Sequence, residues 1–111
     1  MNSKRKGKEG ELEMARYMRA RGYDAHRGQQ YRGGEDSPDV VGVPYLHLEV
    51  KRRARFELYP FLEQARRDSG ENIPVVVYRA DRAEWTANLY LDDFMKIYRI
   101  YELYADKEGE R

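Results

Sequence analysis

The sequence predicts an α/β fold, a mixed central β-sheet flanked by helices. Three stretches carry that prediction. Residues 9–21 place apolar side chains at helical spacing. Residues 73–79 are apolar nearly throughout, as in a strand buried on both faces. Between them, two β-branched runs at 40–43 and 45–50 flank Pro44, which interrupts pairing, so they read as a hairpin. With 111 residues the chain has the size of one domain spanning 1–111.

Taken in order, residues 1–8 form a basic arm with no apolar periodicity. The first helix buries Leu12, Met14, Ala15 and Met18, with Tyr17 beside them, and Gly22 ends it as a C′ glycine. Glu11 shares a stripe with Ala15, Met18 and Gly22. An acid there either complements the helix dipole or joins a site. Residues 23–27 alternate as a short strand. Residues 28–36 are polar and glycine-rich, a mobile loop that either connects or closes over a nucleic-acid strand.

After the hairpin comes a basic passage, then a helix at 60–68 with Pro60 in its first turn and Gly70 beyond its end. The strand at 73–79 is followed by a second at 84–91, with Trp85, Ala87, Leu89 and Leu91 on one face. Asp92 suits an N-cap. The last helix carries Phe94, Ile97, Tyr98, Tyr101 and Tyr104, whose aromatics serve either the core or a dimer surface. Residues 107–111 are a charged tail expected to fray. The order is α-β-β-β-α-β-β-α.

Composition narrows the chemistry. There is no cysteine, which excludes disulfides and thiolate metal sites, and two histidines leave little for a histidine-based zinc enzyme. No apolar run reaches the length of a membrane span, so a soluble, cytoplasmic protein is expected. The net charge of +1 hides local bias, with basic residues gathered at 4–8, at 51–55 and at Arg66 and Arg67. Such clusters suit a phosphate backbone.

The hairpin holds the chemistry. With its loop at 43–45, Gly42 faces Leu46, and counting outward sets Asp39 opposite Glu49. Cross-strand Cβ atoms lie about 4.5–5.5 Å apart. Lys51 points to the same face as Glu49. Two carboxylates that close need a cation between them or a proton on one. Oxygen ligation of a hard divalent ion such as Mg²⁺ resolves this, and Lys51 then stands ready to orient a water or balance charge on a phosphate. The competing reading is a surface hairpin with an ordinary ion pair between Lys51 and Asp39 or Glu49.

Pro38-Asp39, the spacing to Glu49, and Glu49-Val50-Lys51 together resemble the PD-(D/E)xK nuclease superfamily. Within it the chain is most similar to the archaeal-type Holliday junction resolvases and their phage relatives. Arg5-Lys6-Gly7 ahead of the Glu11 helix, the glycine-rich loop, the basic passage, the Gln64-Ala65-Arg66-Arg67 helix and the apolar strand from Ile73 extend the resemblance over residues 4–80. It implies a restriction-endonuclease-like fold with an α-β-β-β-α-β core. It also implies a homodimer that cuts four-way DNA junctions with Mg²⁺, for which Mn²⁺ can substitute.

Carried over by position, Glu11, Asp39 and Glu49 match the metal-binding acids, the Val50 carbonyl a further ligand, and Lys51 the catalytic lysine. Lys4, Arg5, Lys6, Lys8, Arg27, Arg32, Arg52, Arg53, Arg55 and Gln64 become DNA-contact candidates, though Gln64 equally suits a solvent-facing helix position. Two departures are visible. Leu12 stands where the family often has an arginine, and Ser37 is offset from the loop serine. A nuclease acting on duplex, flap or single-stranded DNA would use the same site, and a non-catalytic DNA-binding module would need only the basic clusters.

Overall fold

The chain runs α1 (Ser3–Arg19), β1 (His26–Arg27), β2 (Val40–Val41), β3 (Leu46–Arg52), α2 (Leu58–Asp68), β4 (Ile73–Arg79), β5 (Thr86–Asn88) and α3 (Leu91–Gly109) in the computed structural model, which describes residues 3–28 and 37–109. The strands form one sheet in the order β1-β2-β3-β4-β5. Only β3 and β4 are parallel, and α2 makes their crossover. The element order is the one expected from the sequence.

Strand alternation sorts the two faces of the sheet. Leu48 and Val50 of β3, with Val75 and Val77 of β4, join Met14 and Ala15 of α1 in the larger core. On the other face Val76 packs with Phe61, Leu62 and Ala65 of α2. His47, Glu49 and Lys51 have the parity of that second face. The sheet is therefore covered by α1 on one side and α2 on the other, and the polar residues of β3 sit under α2.

Several boundaries differ from the sequence expectation. The first helix begins at Ser3, so the basic run 4–8 is helical rather than an arm ahead of the helix. Arg5 pairs with Glu9 one turn on, and Lys6 reaches Asp81 at 3.1 Å. Gly10 lets this part of the helix approach β3, because a Cβ there would lie 3.0 Å from the Arg52 Cβ. At the other end Gly22 takes φ +96, the Tyr23 amide donates to the Met18 carbonyl and the Gly22 amide to Arg19, which closes the helix as a Schellman motif.

The strand expected at 23–27 is reduced to its last two residues, and that expected at 84–91 to its middle three. α3 starts one residue before Asp92, which therefore lies in the first turn instead of capping it. The helix continues to Gly109, taking in most of the tail expected to fray. None of its residues is buried, so its aromatics do not serve the core of this chain.

Candidate active site

β2 and β3 pair with Val40 opposite Leu48. One step outward on each strand brings Asp39 against Glu49, the register that the Pro44 loop implies. Asp39 is held from three sides. Its amide donates to the Leu48 carbonyl at 2.8 Å, its carbonyl accepts from Gly28 at 2.9 Å, and its Oδ2 accepts the Val50 amide at 2.8 Å. No side chain fits at Gly28, where a Cβ would stand 2.0 Å from the Pro38 carbonyl oxygen.

Glu49 is buried, and its Oε1 lies 2.9 Å from Nε2 of the equally buried His47. Asp68, at the end of α2, completes a group with them whose three ligand atoms all lie within 4.8 Å of one another. The Asp39 carboxyl hydrogen-bonds to Glu49 from the hairpin side. Burial, then the Glu49 charge, pushes Asp39 up to about 8, with a smaller push from Glu11. The Val50 amide pulls the other way without offsetting them.

Near neutral pH the pair therefore keeps a proton that water-exposed carboxyls would have lost. Asp39 and Glu49 would together hold a divalent cation, which would relieve that conflict without the proton. The donors on offer are hard carboxylate oxygens, with one imidazole beside them, and they fit a small divalent ion.

Glu11 does not stand in the first turn of α1, so it is no dipole cap. Its Oε1 accepts from Arg27 Nε at 3.0 Å, and both side chains are largely buried. That contact ties α1 to β1 and takes Arg27 out of the set of free cations. Lys51 lies with its ammonium 4.8 Å from the centre of the Phe61 ring. Among the described residues it forms no ion pair, so the ordinary Lys51–carboxylate pair is not what the hairpin builds.

The remaining basic candidates divide. Lys6 and Arg52 both bond Asp81, at 3.1 and 3.3 Å. Arg53 and Arg55 are exposed on the connection from β3 to α2, with Arg53 standing 5.0 Å from the centre of the Phe61 ring. Lys4 and Lys8 are exposed on α1, and Gln64 is half-buried on α2. Lys6, Gly7, Lys51, Arg52 and Arg53 line one groove that joins the start of α1 to the Lys51 end of β3. Arg32 and most of the 28–36 loop lie outside the described residues.

A family model, the archaeal Holliday junction resolvase (Hjc), matches residues 2–85. The chain belongs to this family. It is thus a Holliday junction resolvase-like nuclease, and branched DNA is the substrate class that the family implies. The match spans α1 to Trp85 and ends ahead of β5 and α3. No curated protein and no solved structure matches the chain closely enough to add to this.

Sequence reasoning overlooked His47 and Asp68. His47 was within reach, since residues 47, 49 and 51 share one face of a strand. Asp68 was not, because only the packing of α2 over β3 carries it to Glu49.

Proposed function

We propose that this resolvase is a Mg²⁺-dependent endonuclease that hydrolyses phosphodiester bonds at four-way DNA junctions as a homodimer. The observation that carries the reading is the meeting of Asp39 and Glu49 in a partly buried place where both cannot be ionised unaided. Asp39 and Glu49 would hold the ion, with the Val50 carbonyl and Glu11 beside them, and Mn²⁺ would substitute. The ion, when bound, supplies polarisation of the scissile phosphate and a water of lowered pKa.

The chain's own groups do the rest. Lys51, without an ion pair among the described residues and two residues from Glu49 along β3, orients the attacking water or balances charge as it builds on the phosphate. The Arg27 contact fixes Glu11. Lys4, Lys8, Arg53 and Arg55 track phosphates along the groove, whose wall Lys6 and Arg52 line, and Gln64 adds a polar contact from α2. Backbone contacts of this kind position DNA without reading bases, so junction choice comes from shape.

The test separates binding from cutting. Asp39→Asn, Glu49→Gln and Lys51→Ala should each abolish cutting of a labelled junction while gel-shift affinity for it survives. Unimpaired cutting by Lys51→Ala would remove the lysine from the chemistry.

A further inference from the structure

We infer that α3 is a self-association helix, packing along its copy in a second chain. It is the least supported element of the fold. No residue on it is buried, and it makes no more than marginal contact with any other described helix or strand. The radius of gyration, 15.0 Å, exceeds the roughly 13 Å of a compact chain of this length. The longest dimension, 52 Å against 30 and 29 Å, has the same origin in a projecting helix.

Its surface is not that of a solvated helix. Leu91, Phe94, Met95, Ile97, Tyr98, Ile100, Tyr101, Leu103 and Tyr104 are between 40% and 71% exposed. Asp92, Lys96, Arg99, Asp106 and Lys107 share one stripe, which Leu103 interrupts; Asp93, Glu102 and Glu108 fall outside it, and apolar side chains occupy most of the rest. A helix apolar over so much of its circumference is stable when covered.

The spacing says by what. Leu91, Phe94, Tyr98, Tyr101 and Ala105 recur at intervals of three and four, the a/d seam of a helix that pairs with a like helix. Ile97, Ile100 and Tyr104 repeat the interval on the adjoining flank. The seam and its flank, at these exposures, hold on the order of 700 Å² per chain, close to what a standard interface takes from each partner. A seam of this kind is self-complementary across a two-fold axis. Because the family match stops at residue 85, this helix is an addition to the matched segment.

The self-association stands on α3 alone. Its consequence, that two copies of the Asp39–Glu49 site act on opposite strands of one junction, rests on the resolvase reading.

Sedimentation velocity of the full chain tests the inference, beside Tyr98→Glu/Tyr101→Glu on the seam and Arg99→Glu on the polar stripe. The chain and Arg99→Glu should sediment at twice the chain mass. The seam variant should sediment as a monomer whose sheet core keeps its cooperative unfolding transition, since α3 supports no core residue. A monomeric parent chain would overturn the inference and leave the helix to another occupant, and so would a dimer that the seam variant leaves intact. A dimer that cuts no DNA would support it while overturning the resolvase reading.

Discussion

His47 and Glu49 stand two residues apart on β3 with Nε2 and Oε1 2.9 Å from each other, both buried under α2. The imidazole meets a carboxylate that already faces Asp39 and Asp68. Replacing His47 by Leu leaves that oxygen without its partner, which costs about 1–3 kcal/mol for a buried polar group. Thermal unfolding should show the loss, and His47→Gln, which keeps a donor, should recover part of it. Equal stability of His47→Leu and the parent chain would mean that the contact holds nothing in place.

Asp39 makes stability depend on pH in an unusual direction. Its carboxyl is raised from 3.8 to about 8 in the fold, chiefly by burial and then by Glu49, so the folded chain holds the proton more tightly than the unfolded one. This group's contribution is complete below about pH 4 and is lost as pH climbs towards 8. In EDTA the melting temperature should therefore fall across that range, by about 4–8 °C for each kcal/mol of stability removed. Asp39→Asn should flatten the fall. Asp81 works with the opposite sign, because its hydrogen bond from Lys6 lowers its pKa, and it acts only at the acid end.

Adding Mg²⁺ should restore the melting temperature at pH 8 far more than at pH 5, since an ion held as proposed by Asp39 and Glu49 would bind the deprotonated pair and compete with the proton. Equal effects at the two pH values would place the ion away from Asp39. Loss of the response in Asp39→Asn closes the comparison.

The basic residues should separate into two groups by their partners. Arg53→Glu, Arg55→Glu, Lys4→Glu and Lys8→Glu should weaken junction binding, and each phosphate left without its cation should lower the salt slope by about 1. Lys6→Ala and Arg52→Ala remove bonds to Asp81 and should register mainly as stability. Fluorescence anisotropy over a salt series distinguishes them. An unchanged slope for Arg53→Glu and Arg55→Glu together would take the β3–α2 connection out of the DNA-binding surface.

What the sequence made legible is local. Pro44 between two β-branched runs sets the hairpin register, and the register alone puts Asp39 against Glu49. The apolar run at 73–79 has one reading, and the structure gives that strand the expected bounds. Tertiary packing decided the rest. Nothing periodic marks the run 4–8 as helical; Gly10 against β3 and Lys6 on Asp81 hold it there. The heptad spacing of α3 announces a helix without saying whether its own chain covers it. Arg27 reads as a free cation beside a polar loop until the fold brings Glu11 to it.

Cleavage of a labelled four-way junction, set beside duplex, flap and single strand, each with Mg²⁺ and with EDTA, tests the central claim most directly. The Asp39–Glu49 site predicts paired, symmetric nicks in the junction, present with Mg²⁺ and absent with EDTA. Cutting of duplex or ends without junction preference would contradict the substrate, and tight junction binding with no cutting under any condition would contradict the nuclease.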